Sequence, residues 1–130
     1  MARLYLKFEK NRDFYESCEK IRSEQNGYLS TKEIAIRGEA CECSSFFMSE
    51  GHIKRLIWEM NTDRHVPSKF PHIREKHNEI YRRYKRLLSV NNDKPLSWYA
   101  GEISKQSAPR FYLDKDYATI LYYKLMNKKV

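Results

Sequence analysis

The chain has 130 residues, enough for one compact domain and too few for two ordinary ones. Apolar residues make up 41% of it and charged residues 32%, a balance that predicts a hydrophobic core and excludes a disordered chain. With four glycines and four prolines, the composition disfavours turn-rich β-sandwiches and barrels and favours helices. The net charge of +8 indicates a polyanionic partner.

The remaining composition predicts a cytoplasmic protein without a membrane partner. The first ten residues lack the basic and apolar regions of a secretory signal, and no apolar stretch approaches the roughly 20 residues of a membrane helix. Three cysteines are an odd number, and Cys41 and Cys43 lack the two-residue separation of zinc knuckles. Adding His52 gives only three ligands, so we expect reduced thiols, no metal and no cofactor.

The N-terminal quarter changes its period once. Apolar and polar residues alternate over positions 1–10, which predicts a short half-buried strand. From Asp13 the apolar residues recur at helical spacing, and this predicts a helix over 12–25 that Gly27 terminates.

Capping signals place the next two helices. Ser30 and Glu33 form a capping box, which predicts a short helix extending to about Gly38. Ser49 can cap a helix that ends near Asn61. Four apolar residues at helical spacing form the predicted core face of this helix: Ile53, Leu56, Ile57 and Met60.

The second half contains the longest amphipathic pattern. Pro71 suits a first helical turn, and the apolar stripe after it predicts a helix over 70–88. A short helix over 96–103 and a last helix capped by Asp114 follow. The predicted fold class is therefore mainly α, a single compact helical domain of five to six helices.

Two segments of the chain resemble each other. When residues 45–61 are aligned without gaps on the segment that starts at Arg110, an aromatic pair and a helix cap coincide. Upstream, Leu29 aligns with Leu96 at a spacing that differs by about two residues. The sequence thus predicts two similar helix-loop-helix units, about 28–61 and 96–127, around the central helix. The alternative is a hydrophobic staple used twice by chance.

The excess of positive over negative charge lies entirely in the second half of the chain. Residues 1–65 hold eleven Lys and Arg against eleven Asp and Glu, whereas residues 66–130 hold fourteen against six. Within the long helix and its approach, residues 69–86 carry seven cations and two carboxylates.

The basic residues of the long helix fall opposite its apolar stripe. At 100° per residue, the cations on the polar side are Arg74, Arg82, Arg83, Lys85 and Arg86. Such a face is typical of phosphate-backbone contact, and six or more contacts predict a roughly thousandfold loss of affinity from low to moderate salt. A solvated helix face, an acidic membrane and an acidic protein groove are the alternatives.

The segment 28–60 resembles a helix-turn-helix, a resemblance that implies a second helix placing its first residues in the major groove of DNA. Lys54 and Arg55 are then the outward candidates, and Lys115 is the corresponding residue of the second unit. Arg110, beside an aromatic pair, is a candidate phosphate clamp or base-stacking residue.

No motif predicts an enzyme. Glycine-rich phosphate loops, nucleophile elbows and helical pairs of metal-binding histidines are missing from the sequence, and the His52-x-x-Arg55 spacing of tyrosine recombinases arises easily by chance. The sequence predicts a non-enzymatic accessory or regulatory protein that binds nucleic acid, duplex DNA in particular. A structural component that docks on an acidic protein is the alternative. The predicted binding residues are Lys54, Arg55, Arg74, Lys76, Arg82, Arg83, Lys85, Arg86, Arg110 and Lys115.

Overall fold

A computed structural model describes the backbone of residues 2–128 and the side chains of residues 5–128. Six helices follow one another in this range: α1 (Ala2–Gln25), α2 (Thr31–Glu39), α3 (Glu50–Asn61), α4 (Pro71–Val90), α5 (Leu96–Ser104) and α6 (Lys115–Lys128). The described residues form no strand, and their one β-type pairing is an isolated antiparallel bridge between Cys43 and Ala108. The predicted mainly α domain of five to six helices is confirmed.

The predicted N-terminal strand is wrong, because α1 runs without a break from Ala2 to Gln25. A strand without a neighbour leaves its backbone groups unbonded, whereas a helix satisfies them internally. Burial does not follow the alternation either, since Leu6 is half-buried and Phe8 is exposed. The helical turn brings Lys7 and Lys10, three residues apart, to the same side of α1.

Local chemistry sets the starts of the other helices. Ser30 and Ser49 each accept a backbone N–H hydrogen bond through Oγ at 3.2 Å, at the starts of α2 and α3. The Asp114 carboxylate accepts a backbone N–H at 3.1 Å before α6. Pro71 is the first residue of α4, and Pro95 precedes α5. All three predicted side-chain caps are confirmed.

The helices do not pack in the order in which they follow one another. α3 packs mainly on α5, and α2 packs on α1 and α6. α4 contacts α3 and α5, and α1 also contacts α6. Among the described residues, α2 makes no contact with α3 and α5 makes none with α6. The second helix of each helix-loop-helix unit therefore packs on the first helix of the other unit, an arrangement that we call exchanged packing.

The two loops inside the units meet at the bridge. The backbone N–H groups of Cys43 and Ala108 donate to each other's carbonyl oxygens at 2.9 and 3.0 Å. Beside the bridge, the ring of Phe111 lies edge-on to Phe14 of α1, with centroids 5.6 Å apart, and stacks on Phe47 at 6.1 Å. Bridge and rings together fasten the α2–α3 loop to the α5–α6 loop.

Corresponding helix boundaries in the two halves of the chain are separated by a constant number of residues, which equals half of the 130 residues of the chain. This half-chain interval separates the first and last residues of α2 from those of α5, the start of α3 from the start of α6, and the end of α1 from the end of α4. It also relates Phe47 to Tyr112, which share a positive φ of 55° and 60°. Within the two units it relates nine pairs of buried residues: Ile34 and Tyr99, Ala35 and Ala100, Gly38 and Ile103, Cys43 and Ala108, Phe46 and Phe111, Met48 and Leu113, Ile53 and Ala118, Leu56 and Leu121, Ile57 and Tyr122.

The half-chain interval changes two details of the predicted repeat. Leu96 corresponds to Thr31 and not to Leu29, which removes the two-residue discrepancy of the sequence alignment. α4 is not a lone central helix either, because α1 packs on α2 and α6 as α4 packs on α5 and α3. A common origin of the two units stays a prediction.

Candidate functional site

The side of α4 that faces solvent carries four exposed cations. These cations, Arg74, Arg82, Lys85 and Arg86, together with one exposed carboxylate, Glu75, define what we call the outer face of α4. Arg74 Nη1 donates to the carbonyl oxygen of Ser68 at 2.8 Å, and Lys85 Nζ lies 5.3 Å from the centre of the Tyr81 ring. The predicted outward placement of four of the five opposing cations is thus observed.

Arg83, the fifth predicted cation of this face, turns inward. Its Nε donates to Glu79 Oε2 at 2.9 Å, and its Nη1 donates to the carbonyl oxygen of Ser107 at 2.6 Å. The guanidinium also lies over the Phe46 ring, 5.0 Å from its centre. Arg82 pairs with the other oxygen of the buried Glu79. Arg83 therefore fastens α4 to the α5–α6 loop and is unsuited to hold an external phosphate.

Arg110 is likewise engaged inside the molecule. Its Nε donates to Glu39 Oε2 at 2.8 Å, its Nη2 binds Oε1 of the same carboxylate, and Glu39 raises the pKa of the guanidinium. The neighbouring Phe111 and Tyr112 are buried, so the aromatic pair offers no surface for base stacking. Arg110 thus forms an ion pair at the end of α2 without a stacking surface beside it, and its role as a phosphate clamp stays a prediction.

Lys76 lies in a groove between the helices. The groove encloses about 650 Å³, and α1, α3, α4 and α6 contribute to its walls together with the loops before α3 and α6. It is lined by Leu6, Lys7, Lys10, Asn11, Phe47, Met48, Ser49, Gly51, His52, Arg55, Lys76, Leu113, Tyr117 and Leu121. Every formally charged side chain in this lining is a cation, and we call this space the cationic groove.

The charged forms of the two half-buried lysines of the cationic groove, Lys10 and Lys76, are destabilised by burial. Burial, and then the neighbouring charge of Lys10, lower the pKa of Lys76 to about 7. Burial also lowers the pKa of Lys10. Neither ammonium has an ion pair or hydrogen bond among the described residues, so both retain unused donors facing the groove.

A smaller groove adjoins the first. It encloses about 300 Å³ and shares His52 and Arg55 with the cationic groove. His77 lines it with a buried Nδ1 that has no hydrogen-bond partner among the described residues. Burial lowers the pKa of His77 to about 4, and the ring of His65 lies edge-on to it at 5.5 Å.

The remaining predicted residues lie on α3 and α6. Lys54 and Lys115 are exposed, and Arg55 is exposed while pairing with Glu59 at 3.5 Å. In a helix-turn-helix the second helix packs on the first, but α2 and α3 do not touch among the described residues. The predicted helix-turn-helix packing of α3 on α2 is wrong, because the loop of ten residues between the two helices places α3 against α5.

Sequence reasoning missed Lys7 and Lys10. The strand prediction placed them in an extended segment, whereas α1 points both into the groove that Lys76 also lines. A helix extended back to residue 2 would have put the pair, three residues apart, on one face.

Metal ligands, membrane spans and known relatives give no lead to a function. The described residues contain no group of three or more His, Cys, Asp and Glu that could hold a metal ion. None of the helices between residues 2 and 128 has both the length and the apolar character needed to cross a bilayer. Comparison with protein-family models, curated proteins and solved structures gives no significant match.

Proposed function

We propose that the protein binds nucleic acid through phosphate contacts made by the outer face of α4, and that it acts without catalysis. The observation that carries this proposal is the imbalance on that face, where four exposed cations, one of them paired with the buried Glu79, stand beside one exposed carboxylate. With a rise of 1.5 Å per residue, the stretch from Arg74 to Arg86 spans about 18 Å. Several phosphates of one duplex fit within that length.

The expected salt dependence follows from the number of exposed cations. Arg82 is paired with Glu79, so three phosphate contacts, by Arg74, Lys85 and Arg86, give a slope of about −2.7 in log affinity against log salt, or roughly a fortyfold loss between 50 and 200 mM salt. This is weaker than the roughly thousandfold loss expected of six contacts, because Arg82 and Arg83 pair with Glu79 and Lys76 lies in the cationic groove. Recognition is expected to depend on the phosphate backbone, since α3 does not pack on α2 as the second helix of a helix-turn-helix packs on the first.

Fluorescence anisotropy with random-sequence duplex DNA tests the proposal. Replacing three cations of the outer face by glutamine (Arg74→Gln, Lys85→Gln, Arg86→Gln) should reduce affinity at least tenfold and flatten the salt slope by about 2.7. A matched control with the same change in net charge uses three exposed cations of the first half (Lys20→Gln, Lys32→Gln, Arg37→Gln) and should bind nearly as well as the parent. Equal losses in the two variants would refute a role of α4.

A second candidate function, docking on an acidic protein, is favoured by the solvent side of α6. Tyr117, Ile120 and Tyr123 are 49%, 54% and 51% exposed there, and contact of α4 with a phosphate backbone gives these apolar side chains no role. Adding polyglutamate to the anisotropy assay separates the candidates. Salt-sensitive binding of polyglutamate without binding of duplex DNA favours the protein partner.

A further inference from the structure

The cationic groove brings together four cations, and its two half-buried lysines have no ion pair among the described residues. Lys7 and Lys10 of α1, Arg55 of α3 and Lys76 of α4 line it, and no Asp or Glu does. Arg55 has a carboxylate partner, Glu59, at 3.5 Å. An unpaired ammonium in a half-buried position costs free energy, which a bound anion would recover.

The lining of the groove is also partly apolar. Phe47, Leu113 and Leu121 belong to it, and Tyr117 adds a ring that is 49% exposed. A space of about 650 Å³ falls within the usual range for small-molecule sites, where an apolar wall and a few polar groups share the recognition. A ligand that fits this groove combines a compact multivalent anion with a flat, weakly polar group.

We propose that the cationic groove binds a phosphate monoester of about nucleotide size, with the phosphate between Lys10 and Lys76 and the organic group against the apolar residues of the lining. Lysine ammonium groups bind phosphate as point charges, and two of them match the double charge of a monoester. The first turn of α3, which borders the groove at Gly51, adds the partial positive charge of a helix start. This site is separate from the outer face of α4 and does not depend on it.

Binding at this site should take up a proton. Lys76 is partly neutral near pH 7, and a dianion beside it favours the charged ammonium. The charged or titratable groups around Lys76 are Lys10, Cys43, the adjacent His77, and the groove residues Lys7, His52, Arg55 and Tyr117. Burial raises the pKa of the Cys43 thiol to about 11, so this group stays neutral. Affinity should therefore fall about tenfold from pH 7 to 8.5, in a range where the phosphate remains a dianion.

Isothermal titration calorimetry with adenosine 5′-monophosphate, inorganic phosphate and adenosine tests the proposal. Binding of the monophosphate in the millimolar range or tighter, with none by adenosine, supports it, and no binding by either phosphate overturns it. Lys76→Met should abolish binding. Lys76→Arg, which cannot lose its proton, should bind with an affinity that hardly changes over the same pH range. Lys32→Met, an exposed control on α2, should behave as the parent.

Folding controls and a comparison of oligonucleotides complete the experiment. Thermal unfolding of Lys76→Met should occur no lower than that of the parent, since the substitution removes a desolvated charge. A 5′-phosphorylated single strand that binds more tightly than its 5′-hydroxyl form identifies a strand end as the source of the phosphate. Equal binding of the two strands together with binding of the free monophosphate identifies a small molecule. The outer-face variant should leave monophosphate binding unchanged, so this proposal and the nucleic-acid proposal fail separately.

Discussion

Glu39 and Arg110 form the ion pair whose removal has the most distinctive expected result. The Glu39 side chain is 6% exposed, and both of its oxygens bind the guanidinium of Arg110. Oε2 also accepts the backbone N–H of Tyr112 at 3.0 Å. The carbonyl oxygen of Glu39 accepts the N–H of Phe111 at 2.9 Å. The pair thus ties the end of α2 to the loop before α6.

The two single substitutions of this pair should have unequal costs. Arg110→Met leaves a buried carboxylate with one backbone N–H as its partner, and a buried charge stripped of its counter-ion costs about 3–5 kcal/mol. Glu39→Met leaves a guanidinium whose side chain is 41% exposed and can turn to water. The remaining loss is then the unbonded Tyr112 amide, about 1–3 kcal/mol. We expect Arg110→Met to lose about 2 kcal/mol more than Glu39→Met.

Urea unfolding followed by circular dichroism gives the free energies needed for a double-mutant cycle. The double variant, Glu39→Met with Arg110→Met, should be about as stable as Glu39→Met alone, because the uncompensated carboxylate is gone. The exposed pair Glu102 and Lys105, 3.3 Å apart, is the matched control and should show a coupling of at most about 1 kcal/mol. Equal losses in the two single variants, or a double variant that loses their sum, would refute the reasoning.

Three further predictions concern packing, acid sensitivity and chain connection. Gly38→Ala should lower the melting temperature, because a Cβ there would lie 2.5 Å from Cys18 Sγ. Adding Cys18→Ala should restore most of the lost stability. Gly51→Ala is the control and should cause no loss, because a Cβ at Gly51 would have nothing within 4 Å. The folded-state pKa of His77, about 4, lies below its ordinary value of 6.5, so the free energy of unfolding should fall as pH drops between these values, and His77→Leu should flatten that fall in urea titrations. Cutting the chain within residues 62–70 should leave the two parts associated in size-exclusion chromatography, because exchanged packing joins them.

Each of these three has a contradicting outcome. A Gly38→Ala loss that Cys18→Ala fails to relieve places the clash elsewhere. An acid dependence that persists in His77→Leu assigns the proton to another group. Separate elution of the cut parts shows that the linker, and not the helix contacts, holds them together.

Helix positions could be predicted because their signals are local. A serine before an apolar run, as at Ser49, needs only the next three residues to act as a cap. The beginning of α1 was not predictable in this way, because alternation over ten residues fits a strand until the absence of a pairing neighbour decides against it. Exchanged packing was also beyond the sequence, since the apolar face of α3 carries no sign of which helix will cover it.

The exposure of the predicted binding residues could be predicted where their position around α4 is far from the apolar stripe. Arg74 and Lys85 lie more than about 100° from Ile80 and are exposed, as predicted. Lys76 and Arg83 lie only about 40° and 60° from it, at the edge of the buried side. At these positions the direction of a long side chain depends on contacts that form only in the folded molecule, such as the ion pair with Glu79.

Exchanged packing also determines when the molecule can fold during synthesis. The contacts of α2 with α6 and of α3 with α5 join residues far apart in sequence. A nascent chain that ends before α5 therefore exposes the apolar face of α3, and the core closes only after α6 has left the ribosome. Such dependence on distant contacts slows folding relative to helical proteins whose neighbouring helices pack together. The half-synthesised chain is the species that chaperones would meet.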